Sequence, residues 1–149
     1  MIRRLHPIAG MTALLCILGF WTATALSELT GSAEAIRTAK TAILWGMVVL
    51  VPAMAMAGGT GFRLGGKAAQ PRIAAKRRRM PLIAANGLLI LLPSAIFLQA
   101  RAAAGDFGTG FLVVQAIELA AGALNITLMG LMVRDGLALS GRLARRRAA

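Results

Sequence analysis

The sequence predicts an all-α polytopic membrane protein, a single four-helix transmembrane bundle over residues 1–149. Three observations predict it. Hydrophobic residues make up 58% of the chain and the mean hydropathy is +0.73, above the roughly 45–50% apolar share of a soluble domain. The excess is gathered into four runs long enough to cross a bilayer. The net charge of +12 lies almost entirely between and beyond those runs, where the positive-inside rule places cations.

The first run, 7–27, rises ~30 Å at about 1.5 Å per residue, the thickness of the hydrocarbon core. It begins with Arg3 and Arg4 as a signal peptide would, but its length favours a membrane span. Pro7 suits a first helical position, where its missing N–H has no helical partner anyway. Residues 28–40 then read as a loop balancing Glu28 and Glu34 against Arg37 and Lys40, with Ser32-Ala33-Glu34 as a cap. The second run, 41–58, contains Pro52, which predicts a kink.

Residues 59–79 carry Arg63, Lys67, Arg72, Lys76, Arg77, Arg78 and Arg79 and no acid. A basic run can be a nucleic-acid surface. Pressed between two membrane-length apolar segments, this one reads instead as a cytoplasmic loop that holds anionic lipid headgroups, with no nucleic-acid partner. The third run, 81–100, starts at Pro81 and includes Pro93. The link 101–110 is short and nearly neutral, and the fourth run is 111–133. The tail then sets Arg134, Arg142, Arg145, Arg146 and Arg147 against Asp135 alone. Both termini and the middle loop are therefore basic, which places all three in the cytoplasm of a bacterial inner membrane.

An offset of 74 residues aligns Arg4-Leu5-His6-Pro7-Ile8 with Arg78-Arg79-Met80-Pro81-Leu82, and Ala42-Ile43 with Ala116-Ile117. The offset is half the chain and suggests a duplicated helical hairpin.

Polar groups inside spans are costly and point to function or to helix contact. Glu118 is the one acid well inside a run, with Gln115 a turn away and Trp21, Thr22, Trp45, Ser94 and Gln99 at similar depth. It reads as an interhelical hydrogen-bond partner for Trp or Thr, or as a proton carrier. Asn86 and Asn125 read as helix–helix contacts. Gly122 and its alanine neighbours make part of the fourth run small enough for close packing. The lone Cys16 excludes a disulfide within the chain and reads as a packing residue. The segment Gly61 to Lys67 imitates the start of a phosphate-binding loop, but Ala68 stands where Ser or Thr must hold magnesium. Nothing in the sequence has the spacing of a nucleophilic triad or a zinc site.

His6 is the sole histidine, at the boundary of the first run. It reads as an interfacial anchor or as a haem-iron ligand. A second axial ligand would be Met80, its repeat equivalent, or another His6 across a homodimer axis. Arg3, Arg4, Arg78 and Arg79 would then pair the haem propionates.

The Arg3-Arg4-Leu5-His6-Pro7 opening of a four-span chain resembles small bacterial inner-membrane proteins, and the His at a helix end is similar to b-type membrane cytochromes. The resemblance covers one motif. It implies haem b, held by His6, in electron transfer or haem handling. The residues alone equally allow a non-catalytic accessory or assembly subunit, or a small proton-linked carrier using Glu118.

Overall fold

A computed structural model describes residues 1–65 and 71–139. The described residues form helices α1 (Ile2–Thr30), α2 (Ala33–Gly65), α3 (Pro71–Asn86), α4 (Leu92–Ala103) and α5 (Thr109–Leu139). A single π turn, Gly87–Leu91, joins α3 to α4 into one span. Among the described residues, four spans are long and apolar enough to cross a membrane. Lys67 and the cations at 142 and 145–147 lie outside the described residues.

The helices outrun their apolar cores at both ends. Residues 28–40, expected as a loop, are mostly helix: α1 reaches Thr30 and α2 starts at Ala33. Only Gly31 and Ser32 turn the chain. Gly31 takes the left-handed φ of 63° that closes α1, with its N–H bonded to Glu28 O. Ser32 Oγ then accepts from the Ala35 N–H and caps α2. The basic stretch 59–79, also expected as a loop, continues α2 to Gly65 and begins α3 at Pro71. Hydropathy marks where lipid begins, and backbone hydrogen bonding does not stop there. Pro7 and Pro81 accordingly sit inside helices and do not open them.

The two mid-span prolines differ: α2 runs as one α-helix through Pro52, whereas a π turn precedes Pro93. Pro93 has no N–H to give and crowds the turn before it. The chain widens there by one residue, and the Leu92 N–H bonds Gly87 O, five residues back. The first hairpin has no such break within α1, so the two hairpins differ at this point.

Helices α1 and α2 pack along their length; α2 then meets α4, α4 meets α5, and α5 returns to α1. Backbones on the diagonals, α1 against α3–α4 and α2 against α5, do not touch. Buried positions follow helical stripes: Ala9, Ala13 and Ile17 on α1; Ile36, Lys40, Ile43 and Leu50 on α2; Phe111, Gln115, Asn125 and Met129 on α5. Cys16 packs against the main apolar cluster of Ala13, Ile17, Leu50, Ala53, Ile83 and Met129. Outward faces are apolar too: Leu15, Trp45, Leu89 and Leu112 all stand exposed. A bundle dressed in leucine on the outside is built for lipid.

Candidate functional site: a buried ion pair above an intramembrane cavity

Lys40 is the largest side chain sealed in the interior, although it was expected in a loop. It lies on the same stripe as Ile36 and Ile43, so the extension of α2 carries it into the core. Its ammonium reaches across the diagonal to α5, where Nζ lies 2.5 Å from Glu118 Oε2. It also donates to Thr24 Oγ1 of α1 at 3.3 Å. Glu28, one turn beyond Thr24, is close enough to act electrostatically on Lys40. Glu28 Oε1 is buried and makes no hydrogen bond among the described residues.

The partner expected for Glu118 was Trp or Thr. Trp21 instead donates its Nε1–H to Leu119 O at 3.0 Å. It settles over Gly122, where a β-carbon would lie 2.9 Å from Trp21 Cδ1. The small residue is thus used for close helix contact between α1 and α5. Gln115 is 4% exposed, and neither atom of its amide has a partner among the described residues. Thr24, Glu28, Lys40, Gln115 and Glu118 make one polar cluster near the end of the bundle that carries the tight turns, here called the far end.

Below this cluster lies a cavity of about 320 Å³ lined from all four spans. Its walls are apolar, with Phe20, Trp21, Met47 and Met54 prominent. Thr24 and Glu118 bring polar atoms to one end and Asn125 to the middle. Val51 and Ala55 on α2, and Ala84 and Leu88 on the third span, belong to the lining and are also exposed. The cavity therefore has a side window toward lipid between α2 and the third span. Gly87, in the π turn, forms part of the wall, so the widening there helps to shape the space.

Asn86 and Asn125 meet as an amide clasp. Asn86 Nδ2 donates to Asn125 Oδ1 at 2.8 Å and to Ala121 O at 2.9 Å, and Asn125 Nδ2 donates to Ile83 O at 3.4 Å. The clasp ties the third span to α5 beside the π turn.

The basic end is organised differently. Arg79 donates to Asp135 Oδ2 at 2.6 Å, joining the neighbours α3 and α5. Arg79 is thereby committed to a carboxylate of its own chain. Arg4 and Arg78 are exposed. His6 lies within α1 and binds α2: its Nδ1–H is shared between Ala57 O and Thr60 Oγ1, each at 3.1 Å. Thr60 passes its own hydroxyl hydrogen to Met56 O. A carbonyl partner fixes Nδ1 as the protonated nitrogen.

His6 and Met80 are brought together. Both touch the backbone of Gly61, with His6 Cε1 at 3.0 Å and Met80 Cε at 3.3 Å from where its β-carbon would stand. Axial ligands need a flat slot for the macrocycle between them. Here both side chains converge on one point over Gly61, and neither residue lines the cavity. No group of three or more His, Cys, Asp or Glu poised for a metal occurs among the described residues.

Fold and site define a class, a four-span membrane bundle with an ion pair buried at the head of an apolar cavity. No family model, curated protein or solved structure matches the chain.

Proposed function

We propose that this protein is a small proton-linked carrier whose binding site is the central cavity and whose proton-exchanging group is Glu118. The observation that carries the reading is that Glu118 both holds Lys40 across the bundle and forms part of the cavity wall. Charged groups this deep in a membrane protein are expensive, and helix association alone could use neutral amides, as Asn86 and Asn125 do. An apolar cavity with a few convergent polar groups is the general form of a small-molecule site. Infrared spectra of the protein in lipid, taken across a pH titration, should show a protonated carboxyl band that is absent from Glu118→Gln. Identical titrations of the two proteins would remove Glu118 from proton exchange.

The chain resides in a bacterial inner membrane with both termini and the basic end cytoplasmic, on the strength of the loop charges. Exposed Arg4, Arg63 and Arg78 contact anionic headgroups there. Cysteines placed at Ser32 and Thr109 should react with an impermeant reagent added outside whole cells. Protection of both, with labelling at Ala69, would reverse the orientation.

A haem shared by two protomers is the second reading. It is favoured by the His6 Nδ1–H bond to a backbone carbonyl, which leaves Nε2 for a metal in the manner of histidine ligands. It requires a homodimer, one haem per two chains, and a Soret band lost in His6→Ala. A colourless protein after expression with ample haem would end it.

A further inference from the structure

We infer that the cavity takes a lipophilic monocation, an alkyl or aryl amine in its ammonium form, with the N–H group directed at Glu118. The inference rests on the carrier reading above and names its substrate class.

Charge is the first argument. The cluster at the head of the cavity contains two carboxylates, Glu28 and Glu118, and one ammonium, Lys40. With all three ionised the sum is one negative charge. The other helix against α5 adds nothing to correct it. Arg101, the sole ionisable group of α4, is paired with Asp106 and lies against Gly110, about two turns from Glu118. Glu28 is partly exposed and neither it nor Lys40 lines the cavity, so the charge a ligand meets there is Glu118, which attracts a cation and repels an anion.

Hydrogen bonding is the second. Glu118 uses Oε2 for Lys40, and no bond to Oε1 is made among the described residues. Thr24 Oγ1 already accepts from Lys40, and the Trp21 indole N–H is spent on Leu119 O. Glu118 Oε1 is thus an open carboxylate acceptor on the cavity wall, which suits an N–H⁺ head; Lys40 and the unpaired Gln115 amide lie outside the lining.

The walls are the third. Phe20 and Trp21 line the same cavity as Glu118, and aromatic faces attract a desolvated cation. Met47 and Met54 supply adaptable apolar surface for a chain or ring system. The side window at Val51, Ala55, Ala84 and Leu88 admits a molecule already dissolved in the bilayer.

Proton linkage follows from the same charge. A proton and the ammonium of the ligand compete for the Glu118 carboxylate, the charged group on the cavity wall. When the ammonium arrives, the carboxylic proton leaves Glu118 for water at the far end, past the buried amide of Gln115. When the ammonium departs, a proton from water replaces it. One positive charge is exchanged for another and no other reactant is needed.

The test uses three photoreactive probes with the same diazirine-bearing dodecyl chain and different heads: amine, alcohol and carboxylate. The full-length protein in liposomes is labelled with each, and the labelled peptides are mapped. The amine should label segments that line the cavity about ten-fold more than the alcohol, the worth of a charge-assisted hydrogen bond. The carboxylate should not label them. Excess unlabelled dodecylamine should compete, and acidification should reduce amine labelling because the proton takes the same place. Ala84→Trp, which fills the side window, should abolish labelling of the cavity while leaving the lipid-facing surface labelled. If all three heads label the cavity equally in the wild type and not in Ala84→Trp, the cavity stands and the cationic ligand is refuted. Cavity labelling absent with every probe, or unchanged in Ala84→Trp, refutes the binding site itself and the carrier reading with it.

Discussion

The two ends of the bundle solve one problem in two ways. At each, an acid on α5 holds a cation from another helix: Glu118 with Lys40 at the far end, Asp135 with Arg79 at the basic end. The far pair spans a diagonal between helices whose backbones do not touch, and the Lys40 side chain is 0% exposed. The basic pair joins packed neighbours, and Arg79 keeps 24% of its side-chain surface in reach of water or headgroups. A cation that can still be solvated contributes little by being paired. One that cannot be solvated depends on its partner, and removing that partner leaves a buried charge. The same chemistry is therefore a surface tether at one end and an interior constraint at the other.

That contrast can be broken most sharply at Glu118. Glu118→Leu leaves Lys40 without its acid and should destabilise the protein by about 3 kcal/mol, read as thermal unfolding in detergent. The double variant Lys40→Met/Glu118→Leu should recover most of the loss, because it removes both charges. If the single and double variants melt together, the pair is not the constraint described. Gly122→Ala comes next. Its new β-carbon meets Trp21 and forces the indole off Leu119 O, at a cost of about 1–2 kcal/mol. Trp21 fluorescence should move with it, against a Trp45→Phe background in which Trp21 is the remaining indole.

Asn86→Leu removes the neutral clasp and should cost about 1 kcal/mol, typical of interhelical polar contacts in membranes. A loss equal to that of Glu118→Leu would mean that amide and ion pair are equivalent glue. The smallest effect should come from the basic end. Arg79→Gln should change stability by less than about 1 kcal/mol, because its head is partly solvated. A loss there as large as at Glu118 would erase the distinction between the two ends.

Much of the architecture is legible along the chain. Four runs, their order and the basic character of one end follow from residue type alone. Asn86 and Asn125, amides within apolar runs, point to helix contact, and that is what the bonds show. Glu118 was marked as the costly residue. Lys40 was not, because charge balance in 28–40 suggested a solvated loop. A signal was present: Lys40 continues the spacing of Ile36, Ile43 and Leu50. A lysine in an apolar stripe three and four residues from isoleucines is a buried lysine if the helix extends that far. The helix extends because Gly31 and Ser32 supply a complete stop and start within two residues.

The sequence by itself determined the class of protein, since each residue's preference for lipid or water adds along the chain and a span needs only enough apolar length. It did not determine the break in the third span: Pro52 lacks an N–H as Pro93 does, yet α2 runs unbroken past it. Only the tertiary structure decided which polar groups meet. Lys40 and Glu118 are separated by 78 residues and sit on helices that do not touch. Their contact depends on the rotation of each helix about its axis and on the cyclic order of the four spans. Composition is blind to both. The same dependence turned His6 and Met80 toward the one point over Gly61, and left the open volume under Glu118.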